Sequence, residues 1–85
     1  MELTRVVETI TDSEVRFSLW VYCWDEFDRR DRSYNFKWDG KSVIFMFGGW
    51  KGQARIVGEA GNKEEARRVA EKWLEGWLGI FPSVP

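Results

Sequence analysis

Asp39-Gly40 stands between two runs whose apolar and polar side chains alternate, and no other feature constrains the fold of this chain as tightly. Both central residues of a type I′ turn need positive φ, so Asp-Gly between alternating runs predicts a β-hairpin. A two-residue loop would set the register, with Trp38 opposite Lys41, Phe36 opposite Val43 and Tyr34 opposite Phe45. Those residues share one face of the sheet. The other face receives Ser33, Asn35 and Lys37 from the first strand, and Ser42, Ile44 and Met46 from the second.

The remaining elements build outward from this hairpin. Residues 3–10, rich in Thr and Val, read as a first strand, and Thr11-Asp12-Ser13 as a turn. Residues 14–24 alternate over a long run. Val15, Phe17, Leu19, Val21 and Cys23 take one face, while the other changes from polar (Glu14, Arg16, Ser18) to aromatic (Trp20, Tyr22, Trp24). Residues 25–32, dominated by Asp and Arg, read as an exposed charged loop. The hairpin strands cover 33–38 and 41–48. Gly48 to Gly52 reverse the chain, and a fifth strand covers 53–59, with Ala54, Ile56 and Gly58 expected on the core face and Val57 on the other.

A helix is expected over 62–78. Asn62 is a good N-cap, Glu65 stands three residues on, and Ala66, Val69, Ala70, Trp73, Leu74 and Trp77 recur at helical spacing. Gly76 weakens the last turn, Gly79 suits the C-terminal cap, and Ile80 is placed to touch Leu74. Residues 79–85 form an apolar tail interrupted by proline. The fold class that follows is α+β, a four- to five-stranded antiparallel β-meander with one C-terminal α-helix packed on one face. No second domain or internal repeat is visible in residues 1–85.

Composition limits what such a chain can do. At 85 residues, stability needs a dense core or a partner, and the six Trp, six Phe and two Tyr supply the density. Net charge is −1, but residues 1–28 carry a balance of −5 and residues 29–55 a balance of +5. One cysteine, Cys23, rules out an internal disulfide, and with no histidine there is no ligand set for zinc or iron. No cofactor is expected. The N-terminus shows no apolar signal region, and the longest wholly apolar stretch, 19–24, is too short to span a bilayer as a helix. The default expectation is a soluble, cytoplasmic protein.

An enzyme is not expected. The carboxylates Asp25, Glu26, Asp28 and Asp31 lie in a solvated charge run, and no Ser or Cys has a histidine partner. The face opposite the helix is the anomaly, because one helix cannot cover both sides of a sheet. Trp20, Tyr22, Trp24, Ile44 and Met46 fall there, and contiguous exposed apolar surface usually marks an interaction site. The leading expectation is a non-catalytic protein-binding module that self-associates, as a homodimer, through that face. Its size and acidity would also suit a phage- or plasmid-type inhibitor of a host protein.

The alternative is a nucleic-acid-binding domain. Arg29, Arg30, Arg32, Lys37, Lys41, Lys51 and Arg55 interleave with Trp50 and with Tyr34, Phe36 and Trp38, and aromatic platforms beside cations bind single strands. The strand followed by Asn62-Lys63-Glu64-Glu65-Ala66 and later Trp73-Leu74 resembles the sheet-plus-helix arm-site DNA-binding domains of tyrosine recombinases. That resemblance covers the C-terminal half, and its motif is a generic helix start that assigns no role to any residue here.

Overall fold

The computed structural model describes residues 2–24, 29–47 and 52–79, apart from the side chain of Trp24. The expected reversal at 48–52 and the apolar tail lie largely outside this part, as does any contact of Ile80 with Leu74. Five strands run in the order β1 (Glu2–Ile10), β2 (Val15–Trp24), β3 (Arg29–Trp38), β4 (Ser42–Met46) and β5 (Ala54–Glu59), each antiparallel to its neighbour in sequence. Among the described residues a single helix, α1 (Lys63–Leu78), crosses one face. The α+β meander read from the alternation is the observed architecture.

The side-chain period of two fixes what the helix covers. Phe17, Leu19 and Val21 of β2, Phe36 of β3, and Val43 and Phe45 of β4 are buried beneath Ala66, Ala70 and Leu74 of α1. Burying each large apolar side chain contributes about 1.5–3 kcal/mol. Alanines at 66 and 70 bring the helix axis close to the sheet, and Trp73 then reaches down beside Phe36 and Phe45, with ring centroids 6.0 and 4.9 Å away. Trp77 stacks on Trp73 at 5.5 Å and stands edge-on to Tyr34 at 6.0 Å. The ends of α1 are set as the sequence predicts. The Asn62 side chain accepts the Glu65 N–H at 2.8 Å, and Gly79, left-handed at φ +83°, donates its N–H to the Glu75 carbonyl. The connection from β5 to α1 is fastened at the hairpin end of the sheet, where the Trp38 indole N–H donates to the Ala60 carbonyl at 3.0 Å and the Ala60 N–H donates to the Lys41 carbonyl at 2.9 Å. Lys63 meets Glu8 of β1 at 3.3 Å.

Three local expectations need correction. The hairpin loop is longer than two residues: Trp38 pairs with Val43 and Phe36 with Phe45, so Asp39 to Ser42 make the turn. A type I′ turn would need positive φ at Asp39, but among the described residues only Gly40 and Gly79 have it. Asp39 instead accepts the backbone N–H groups of Lys41 and Ser42 on its carboxylate, at 3.0 and 2.8 Å, and closes a wider turn. The register moves by two residues, an even number, so every side chain keeps its face.

The charged segment 25–32 is not all loop. Arg29 to Arg32 belong to β3 and pair with Trp24 back to Val21, because the long β2 offers backbone partners whatever side chains its neighbour carries. Residues 25–28 lie outside the described part.

Strand β5 carries a bulge. Gly58 pairs with Val43, but Ile56 pairs with Ile44 and Ala54 with Met46, so Val57 is the extra residue. Gly58 keeps its place under the helix. Val57 packs against the core, while Ile56 and Ala54 turn to the opposite face, reversing the expectation for all three.

The turn carboxylate yields a pH prediction. Hydrogen bonds from the Ser42 and then the Lys41 backbone hold the Asp39 carboxyl below the usual aspartate range. A depressed folded pKa contributes stability that is present above the ordinary value of about 3.9 and is lost as pH falls through the lower folded value. Asp39→Asn keeps the acceptor and removes the titration. Its urea midpoint is therefore expected to fall less steeply than that of the wild type between about pH 5 and pH 2. Equal acid slopes for the two proteins would show that the turn carboxylate is not linked to folding.

Candidate functional site: the open face of the sheet

Register assigns the face away from α1 row by row. Thr9, Arg16, Lys37, Ile44 and Ile56 form one row across all five strands. Val7, Ser18, Asn35, Met46 and Ala54 form the next, then Arg5, Trp20 and Ser33, then Glu2, Tyr22 and Asp31. Among the described residues no element lies across these rows.

The expected site residues divide. Trp20, Tyr22 and Ile44 lie on this face and are half-buried by their neighbours. Trp24 continues the row pattern beside Arg29, but its side chain is outside the described part. Met46 lies on this face too, yet it is only 7% exposed, so it does not offer the accessible surface expected of it. It is the last residue of β4 and sits in register between Asn35 and Ala54, in a row to which all five strands contribute. Two apolar residues of the face were not among those expected. Ile56 is 65% exposed because the bulge turns it outward, and Val7 is 43% exposed on the edge strand. Periodicity alone could have placed Val7; nothing short of the β4–β5 pairing could have placed Ile56.

The Trp20 ring is partly covered by β1. The Arg5 guanidinium lies over it at 4.6 Å from the centroid, and Thr4, the extra residue of a second bulge, donates its hydroxyl to the Trp20 carbonyl at 3.1 Å. In the next row the Ser18 hydroxyl donates to Asn35 Oδ1 at 2.9 Å. Arg16 is held by Glu14 at 3.1 Å. The face is therefore mixed, with apolar rings and branched side chains set among charged and polar groups, of which Ser18, Asn35 and Arg16 have partners within the sheet.

No protein-family model matches this chain, and comparison with curated proteins and with solved structures returns no match. The geometry alone carries the functional argument.

The basic residues expected to serve a nucleic acid do not converge. Arg29 and Lys37 lie on the open face, whereas Arg30, Arg32 and Arg55 lie by register on the helix side, paired with Cys23, Val21 and Phe45. Lys41 is in the hairpin turn, and Trp50 and Lys51 lie outside the described residues. The rings of Tyr34, Phe36 and Trp38 face the helix, so no base can stack on them. Burial pushes the Tyr34 hydroxyl pKa up, with Cys23 adding to the shift and Arg32 opposing it. The depressions on the described surface, including one of about 420 Å³ beside Tyr34, Phe47 and Trp77, are shallow and gather no set of converging polar groups. Among the described residues no three His, Cys, Asp or Glu side chains cluster to hold a metal ion, and no helix is long and apolar enough to cross a membrane.

Proposed function

We propose that this chain is a non-catalytic protein-binding module that self-associates through the open face of its sheet. One observation carries the reading: the face opposite α1 presents Trp20, Tyr22 and Ile44 together with the more exposed Ile56 and Val7, and apart from Arg5 of β1 over the Trp20 ring no described element lies across them. Each large apolar side chain left in water forgoes about 1.5–3 kcal/mol of burial. A flat, mixed surface of this kind, with Trp and Tyr near its middle, has the composition of an interface core with a polar rim. A second copy also suits a domain near the lower size limit for independent stability, since the partner buries what one helix leaves bare.

Sedimentation equilibrium from micromolar to near-millimolar concentration tests the reading. The wild-type mass is expected to rise from monomer toward dimer. Trp20→Ser is expected to remain monomeric over the same range while its far-UV spectrum and cooperative unfolding persist. A wild-type mass that stays monomeric throughout would refute self-association. Loss of cooperative unfolding in Trp20→Ser would assign the ring to the monomer core and remove the site.

A further inference from the structure

The open side of β3 carries an ordered series of charges. Taking every second residue along it gives Arg29, Asp31, Ser33, Asn35, Lys37 and then Asp39 at the turn. Read from the other end, the series has every sign reversed. If a second β3 were laid over the first, running the opposite way about a point midway between Ser33 and Asn35, each cation would meet an anion. Lys37 would lie over Asp31, Arg29 over Asp39, and the two uncharged residues over each other. β3 is the central strand, hydrogen-bonded on both sides, so it cannot meet a copy of itself edge to edge. Only face-to-face contact can use this symmetry.

Resting on the reading of the open face as a protein-binding surface, we infer that its occupant is a second copy of this chain laid on it end over end, with Lys37 of each copy over Asp31 of the other. Two-fold symmetry allows a face-to-face pair to form with like ends together or with opposite ends together. The flanking rows decide between them. Glu2 shares a row with Asp31, Arg16 with Lys37, and the acidic Glu59 with the Asp39 end of the face. With like ends together, Lys37 would meet Lys37 and Asp31 would meet Asp31, and such like-charge juxtapositions cost several kcal/mol. With opposite ends together, they are replaced by attraction.

The same operation centres the aromatic residues. Ser18 and Trp20 of β2 pair with Asn35 and Ser33, so the axis passes between them. Each Trp20 then stands about one residue, roughly 3.4 Å, from the axis along the strand, and the two indoles come together at the middle of the interface. Indoles near the centre of a contact, flanked by paired charges, are placed where binding energy concentrates. Asp39 suits its part, because the two backbone N–H groups it accepts keep it anionic and fixed in place. Sheets packed face to face cross at about 30°, so the pairing holds best for the central rows and relaxes toward the edges.

Charge reversal with mixing tests this arrangement by sedimentation equilibrium. Lys37→Glu alone places like charge against Asp31 at both ends of the pair, and Asp31→Lys alone does the same against Lys37. Each is expected to weaken association by about tenfold or more. In an equimolar mixture of the two, both ends of the hetero-pair carry like-signed residues only within one chain and opposite signs across the interface, and association should recover to the wild-type level. Recovery requires that both variants be folded, so it also controls for misfolding. The neutral variants Lys37→Gln and Asp31→Asn should each weaken association less than the reversals, and mixing them should restore only part of it, because one of the two Lys37–Asp31 pairs re-forms. If Trp20→Ser abolishes association but the charge variants leave it unchanged, or the mixture fails to recover, the end-over-end pairing is wrong while the binding face stands. A wild-type chain that never associates removes both.

Discussion

Replacing Phe36 with alanine is expected to cost about 3–5 kcal/mol, the range for deleting a large buried ring. Phe36 is fully buried at the centre of the sheet, between Phe17 and Phe45 in register, with the Phe45 ring 5.0 Å away and Trp73 edge-on above it. Few places in this fold are surrounded so completely, because the strands on either side and the helix above all converge there. The neighbours are themselves aromatic and mutually braced, so they cannot easily collapse into the space the ring leaves. Small domains have a total stability of about 5–15 kcal/mol, so this loss takes a large share of it. In a chain of this size each kcal/mol lowers the melting temperature by about 4–8 °C, and the thermal midpoint of Phe36→Ala should fall by roughly 12–40 °C. Ile56→Ala, on the exposed side of the bulge, is the matched control and should stay within about 0.5 kcal/mol of the wild type at concentrations where the chain is monomeric. Comparable losses for the two would mean that the core does not lie between the helix and the sheet.

Much of this architecture is legible in the residues, and what is not has a physical reason in each case. Alternation through Val15 to Cys23 and through Tyr34 to Trp38 names the face that α1 covers, since a strand cannot bury consecutive side chains on the same side. It cannot name the register. Moving the hairpin by two residues conserves every face, and the wider turn is selected by the Asp39 carboxylate capping two backbone N–H groups, a contact that alternation does not record. The β5 bulge breaks the period at Val57, so Ile56 and Val57 exchange faces, and only the pairing with β4 reveals it. The charged run before Tyr34 reads as loop when apolar residues alone are counted. Arg29 to Ser33 are all polar, so no alternation marks them as strand, and only their pairing with β2 places them there. The candidate site is legible as a face rather than as a set of residues. Trp20, Tyr22 and Ile44 belong to it, Met46 is too buried to serve, and Ile56 and Val7 join it.

Gly58→Ala is expected to destabilise the fold by about 1–3 kcal/mol, the usual cost of forcing extra volume into a packed site. The glycine lies on the helix side of β5, and a Cβ added there would stand 2.5 Å from Val69 Cγ1. That methyl cannot swing aside cheaply, because a β-branched residue in a helix has one strongly preferred χ1 and Val69 is itself packed against the core. The strain must pass into the backbone, lifting α1 from β5 or flattening the bulge at Val57. Removing the obstructing methyl separates this cause from any general dislike of alanine in a strand. Val69→Ala alone gives up some burial, but Gly58→Ala in the Val69→Ala background should cost far less than in the wild type, leaving a coupling of about 1 kcal/mol or more in a double-mutant cycle read by urea unfolding. Gly76, inside α1, provides the contrast: a Cβ added there meets no atom within 4 Å, so alanine should stabilise by up to about 1 kcal/mol. Additive losses at Gly58 and Val69 would show that close approach of helix and strand is not what requires the glycine.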